Sequence, residues 1–188
     1  MSGAAAAILW RRVDRPGHES ARVSPGLAGW ELAGTAVFAH EGKACGFNYT
    51  IACDREWRTK SADVVGWLGA DAVRVNALVG EDGRWRVDGV DIPEIAGCVD
   101  VDLNFSPSTN ALPIRRLGLA VGQAAEVRAA WLRFPSFALE PLEQVYRRTG
   151  DAIYRYESAG GTFVADLEVN AAGLVLHYPG FCRAEAGG

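Results

Sequence analysis

The chain has few histidines, scattered cysteines, no surplus of basic charge and no long apolar run. Each shortage excludes something. The formal net charge is −4 and the isoelectric point is near 5.4, whereas a protein that grips nucleic acid needs a basic face to displace counterions. The apolar run from Ala4 to Trp10 is too short to cross a bilayer and has no basic segment before it, so neither a transmembrane segment nor a secretory signal is expected. Cys45, Cys53, Cys98 and Cys182 form no C-x-x-C pair and have no histidine at ligand spacing. Without a signal peptide they read as small buried apolar residues of a cytoplasmic protein, not as disulfides or a zinc site. His18 precedes Glu19 but lacks the second histidine of a zinc helix, while His40 and His177 stand alone. G-x-S-x-G and phosphate-cradling glycine loops are missing as well. No metal, cofactor or catalytic residue is assigned.

What remains is the profile of an ordinary globular protein, with 49% hydrophobic and 22% charged residues over 188 positions. At that length folding buries roughly 70% of the unfolded surface, and one β domain over residues 1–188 is expected. The pattern is mainly β. Strands are read at Ile8–Val13 after a flexible start, at Gly46–Cys53, and at the valine-rich Ala72–Val79. Cys98–Phe105 alternates with period two, which puts Val99, Val101, Leu103 and Phe105 on one face and Asp100, Asp102 and Asn104 on the other. Thr162–Val169 alternates likewise, with Phe163, Ala165, Leu167 and Val169 in register.

Turn signals at 41–43, 81–84, 158–161 and 170–173 punctuate the runs. Short helical turns fit Asp54–Thr59 and the segment after Thr109, where Thr109 is a candidate cap and Pro113 falls in the first turn. Many short strands imply an antiparallel sandwich, a barrel or a curved sheet. An echo between Phe47/Tyr49 and Tyr154/Tyr156 leaves open an internal duplication, roughly 8–95 and 96–183.

Residues 100–117, DVDLNFSPSTNALPIRRL, concentrate unusual chemistry between apolar runs. On a strand Asp100 and Asp102 share a face with Cα atoms about 6.8 Å apart. That is too wide for a proton-sharing dyad, and neighbours on one strand do not flank a glycosidic bond from opposite sides. Arg115 and Arg116 point to opposite faces of a strand, or about 100° apart on a helix. A guanidinium facing one of the aspartates makes a bidentate pair. Such a pair is either a structural bridge or part of a polar patch that grips a ligand.

The tryptophans at 10, 30, 57, 67, 85 and 131 are read mainly as core. Trp57–Arg58 reads as packing beside a surface ion pair.

Taken in order, LWRRVDRPGHESAR (9–22), GWELAGTAVF (29–38), YTIACDREWRTKSADV (49–64), DGRW (82–85), GCVDVDLNFSPSTNALPIRRLGL (97–119), VYRRTGDAIYRYES (145–158) and DLEVNAAGLVLHYPGF (166–181) resemble a bacterial family of putative glycolipid-binding proteins. That resemblance implies a mainly antiparallel, curved, clam-like or barrel-like sheet with few short helices. It also implies a lipid or glycolipid ligand, and brings no catalytic residues with it. This chain's polar motif residues then become the candidate ligand-binding set: Asp100, Asp102, Asn104, Thr109, Asn110, Arg115 and Arg116, followed by Trp57, Arg58, His18 and Glu19.

A curved sheet leaves room for an apolar cavity with polar groups at its mouth. The leading expectation is therefore a binding protein, monomer or homodimer, for an amphipathic ligand. The alternatives are an enzyme, hydrolase or isomerase, using Asp100 or Asp102 as base beside Arg115 or Arg116, and an interaction module built on sheet edges.

Overall fold

The computed structural model describes residues 5–187. Residues 1–4, where the flexible start was expected, lie outside the described residues. Strand β1 (Ala6–Arg12) therefore opens two residues earlier than the pattern suggests and stops one residue short of Val13. Consecutive antiparallel hairpins join it to β2 (Gly17–Pro25), β3 (Gly29–His40), β4 (Lys43–Asp54), β5 (Thr59–Leu68) and β6 (Asp71–Val79), with short β7 (Trp85–Val87) and β8 (Val90–Asp91) beyond. The chain then makes β9 (Asp100–Leu103), helix α1 (Ala111–Leu117) and β10 (Ala124–Arg133). It continues through β11 (Ala138–Arg148), β12 (Ile153–Ser158), β13 (Phe163–Val169), β14 (Val175–Tyr178) and β15 (Cys182–Ala186).

All fifteen strands belong to one sheet, running β8 back to β1 and then β15 back to β9. The first and last strands thus pair in its middle, antiparallel, with Trp10 opposite Ala184 and Arg12 opposite Cys182. Among the described residues only β9 and β10 pair in parallel, and α1 lies on the crossover between them, as parallel neighbours require a long connection. Among the described residues the ladder does not close into a barrel. It is a strongly bent open sheet whose far strand β9 returns to β5: the Thr59 amide donates to the Val99 carbonyl at 3.1 Å, and the Val101 amide to Thr59 Oγ1 at 3.1 Å.

Two apolar clusters fill the bend. The larger gathers Trp10, Phe47, Ile51, Trp85, Leu103, Phe105 and Leu112; the smaller packs Ile114 against Tyr146, Tyr154, Tyr156, Leu167 and Val175. Period-two burial is regular in β2 and β13, where Ala165, Leu167 and Val169 face inward as expected. Phe163 shares their register but stays half-exposed. The four cysteines are buried and unpaired.

The expected helix after Thr109 is present, with changes. Asn110, not Thr109, stands at its N-cap position, and Pro113 sits in the first turn. Thr109 instead offers Oγ1 to the Leu103 amide at 3.2 Å. Gly118 ends the helix in the left-handed region at φ 53°, where a Cβ would be strained. Asp54–Thr59 is a tight turn and no helix: the Asp54 carboxylate accepts the amides of Glu56 and Arg58. Strand β9 is also shorter than the Cys98–Phe105 alternation, because the backbone leaves the ladder after Leu103 to enter the loop that precedes α1.

Candidate functional site: an aromatic cleft with ionised rims

The segment 100–117 divides its polar groups between two tasks. Asp100 and Asp102 point to the same face of β9, as alternation demands, while Val101 and Leu103 enter the main core. Asp100 is 1% exposed and is closed off by α1. There Arg116 donates Nε to Oδ1 at 3.1 Å and Nη2 to Oδ2 at 2.5 Å. This is the bidentate fork anticipated between the two arginines and two aspartates, in its structural form. Burial pushes the Asp100 carboxyl up, and the Arg116 fork works against that rise.

One position along the same face, Asp102 has no cation. It accepts a hydrogen bond from Gln144 Nε2 at 2.6 Å, and that amide also donates to the Tyr156 hydroxyl at 3.1 Å. Burial, reinforced by the charge of Asp100 and only partly offset by Gln144, lifts the Asp102 carboxyl to about 6.

Asp102 looks into a cleft of about 530 Å³. Its walls carry the rings of Phe38, Phe105, Trp131, Phe134, Tyr156, Phe163, Tyr178 and Phe181. Asn104 and Asn110 join Asp102 on one side. Asn104 Oδ1 accepts the Phe134 amide at 3.2 Å, while Asn110 accepts the Tyr146 hydroxyl at 2.8 Å and donates to the Pro107 carbonyl. Arg12, Asp14 and Arg15 line it as well, and neither composition nor spacing marked them as a site. The only signal was the run RRVDR at the end of an apolar strand, inside the first resembling segment.

Arg12 is buried, with its guanidinium between the Phe38 and Phe181 rings at 4.6 and 4.5 Å from their centroids. Its Nε and Nη2 donate to the two oxygens of Asp14 at 2.9 and 2.7 Å, and its Nη1 to the Phe105 carbonyl at 2.8 Å. Arg15 Nε donates to the same Asp14 at 2.8 Å, and Arg15 Nη1 to His40 Nδ1 at 3.0 Å. Partial burial works to raise the Asp14 carboxyl, but the two guanidiniums win and hold it below its ordinary value.

Behind the cleft floor, Glu19 is 2% exposed on β2. It accepts the Tyr49 hydroxyl at 2.6 Å and the Ser106 hydroxyl at 2.5 Å, and Ser108 shares the network at 2.7 Å from Ser106. Gly34, opposite Tyr49 in the ladder, lets the phenol pass: a Cβ there would run into the Tyr49 hydroxyl. Burial raises the Glu19 carboxyl to about 7, against the pull of Ser106, Tyr49 and the Arg12 charge. Glu19 is thus near the cleft but does not line it.

The remaining candidates lie apart. Trp57, buried with φ 67°, stacks on Trp30 at 4.5 Å, and Arg115 lies over it at 5.2 Å while donating to the Ala171 carbonyl. These groups line a second, shallower depression on another part of the surface. Arg58 is exposed beside the Asp54 turn, and His18 faces outward with Nε2 3.2 Å from Glu185. Among the described residues no group of three His, Cys, Asp or Glu side chains is arranged to hold a metal, and no helix is long and apolar enough to cross a membrane.

A bent, open antiparallel sheet with an aromatic cleft and ionised rims has the architecture of a small-ligand binding protein. The family model described as "Putative glycolipid-binding" matches residues 7–184, and the chain belongs to that family. It is also similar to a DUF1089 family protein from Pseudomonas aeruginosa, whose crystal structure superposes with a TM-score of 0.72 at 31% identity, over 97% of this chain and 93% of that one. No curated protein matches the chain.

Two expected outcomes follow from these geometries. Removing the cation from the Asp100 fork leaves a buried charge unpaired, so Arg116→Met should cost about 3–5 kcal/mol in urea unfolding. Adding Asp100→Asn should recover much of it, and a loss below ~1 kcal/mol for the single variant would show that the fork bears little load.

The raised carboxyls destabilise the fold once ionised. Their favourable contribution is complete below the unfolded values near 3.8 and 4.5, and is lost as pH rises through about 6 for Asp102 and about 7 for Glu19. The thermal midpoint should therefore fall between pH 5 and pH 8. Glu19→Gln combined with Asp102→Asn should flatten that slope, and an unchanged slope would contradict the assignment.

Proposed function

We propose that the chain binds an amphipathic lipid or glycolipid in the aromatic cleft, with the apolar part of the ligand against the rings and its polar part toward Asp102, Asn104 and Asn110. The observation that carries this reading is the lining itself. Eight aromatic rings border a space of about 530 Å³, within the roughly 300–1,000 Å³ usual for small-molecule sites, and a few polar groups line it with them. Membership of a family described as "Putative glycolipid-binding" supports the same class of ligand. Asp102, Asn104 and Asn110 serve in this reading as ligand contacts; Asp100, Thr109 and Arg116 serve to hold β9, the following loop and α1 in place.

Native mass spectrometry of delipidated protein with dodecyl β-glucoside below its micellar concentration tests the proposal. A one-to-one adduct is expected. Phe163→Asp, at a half-exposed position on the cleft wall, should weaken it by roughly tenfold with an unchanged thermal midpoint. A bare protein mass at every concentration, also after incubation with a cell-lipid extract, would refute the reading.

A further inference from the structure

The geometry points to an oxyanion site at the Arg12–Arg15 rim of the cleft, selecting ligands whose polar end carries a phosphate or carboxylate group. This inference rests on the cleft being the ligand site, and it assigns the chemistry of the ligand's head.

The first argument is a donor count. An arginine has five N–H groups. Arg12 commits three, two to Asp14 and one to the Phe105 carbonyl, which leaves two. Arg15 commits two, to Asp14 and to His40, which leaves three. Both side chains border the cleft, so the uncommitted donors belong to groups at its rim.

The second argument is charge. One carboxylate, Asp14, serves both guanidiniums, so these three side chains together carry one positive charge in excess; Glu19, the other carboxyl that feels the Arg12 charge, is buried and held by the Tyr49 and Ser106 hydroxyls. His40 Nδ1 lies 3.0 Å from Arg15 Nη1, a position from which an imidazole nitrogen accepts the guanidinium N–H. Asp102, which accepts its hydrogen bond from the neutral Gln144 amide, lines the same cleft.

The third argument is rigidity. The Arg12 guanidinium has an aromatic ring on each side and is 7% exposed, so its plane is fixed and only its edge is open to a partner. Fixed planar donors suit bidentate oxyanion recognition, because little side-chain entropy is lost on binding. A solvated arginine would not be clamped between rings.

The test compares three ligands with the same tail, titrated calorimetrically into the delipidated protein below their micellar concentrations: dodecyl phosphate, dodecanoate and neutral dodecyl β-glucoside. Dodecyl phosphate and dodecanoate are expected to bind roughly tenfold more tightly than the glucoside, with the advantage shrinking as salt is raised. A preference between the two acids then identifies whether phosphate or carboxylate is the natural head.

Arg15→Gln should abolish most of the advantage, read as the ratio of acid to glucoside affinity within the variant itself; the Arg15 side chain is 32% exposed, and an unchanged thermal midpoint checks that the fold is retained. Arg12→Met is the stronger lesion, but it also frees the Phe105 carbonyl and serves only as a second variant. Equal affinities for all three ligands, or an advantage that survives Arg15→Gln, would overturn the oxyanion site and leave the binding function standing. Failure of all three to bind would overturn both.

Discussion

Arg12 is the point at which remote parts of the chain are tied together. Its guanidinium ends β1, takes up the carboxylate that begins the next turn, holds a backbone carbonyl 93 residues away at Phe105, and lies between rings contributed by β3 and by the loop between β14 and β15. A buried cation is tolerated only when its charge and donors are met, so these segments must all arrive for any of them to be comfortable. The bend of the sheet follows from the same requirement. The loop after β9 can reach Arg12 only if the second arm of the sheet curls over the first, and that curl encloses the cleft.

The contrast between the aspartates of β9 shows how a site is separated from its scaffold. They share a strand, a face and a residue type. One meets a guanidinium fork; the other meets only the neutral amide of Gln144. A neutral donor compensates a buried charge less well than a cation does, so Asp102 stays a costly group to ionise and remains turned toward open space. Glu19 repeats the pattern behind the floor, with two hydroxyls as its donors. Carboxyls kept at a cost to stability cluster where proteins meet ligands.

Alternation made β9 and β13 readable in advance, because side-chain period is a local property of the chain, and a candidate cap followed by Pro113 pointed to a short helical turn where α1 lies. The Asp/Arg fork was legible as well, since its two halves lie in a single quoted stretch. What could not be read was which aspartate would find the arginine. That depends on the handedness of a crossover helix and on the parallel pairing of β9 with β10. The second rim was hidden for a similar reason: Arg12, Asp14, Phe38 and Phe181 come together only through the pairing of β1 with β15 and of β2 with β3. Trp57, His18 and Arg58 are candidates ranked behind the polar residues of 100–116, and the fold carries them to other surfaces. Glu19 was singled out beside His18, but burial follows alternation: adjacent residues on β2 face opposite ways, His18 to solvent and Glu19 inward.

The seam between β1 and β15 has a consequence for how this molecule is made. Everything from β1 to β8 can zip into hairpins as soon as it is synthesised, but the free side of β1 pairs with a strand whose partners lie a hundred and seventy or more positions downstream, as in Trp10 with Ala184. Until that strand emerges from the ribosome, the nascent sheet presents an unsatisfied row of backbone donors and acceptors through its apolar centre. Completion of the fold is therefore a late, long-range zippering event, slow by contact order. The interval before it is the time at which a second nascent copy would compete most effectively for the same strand.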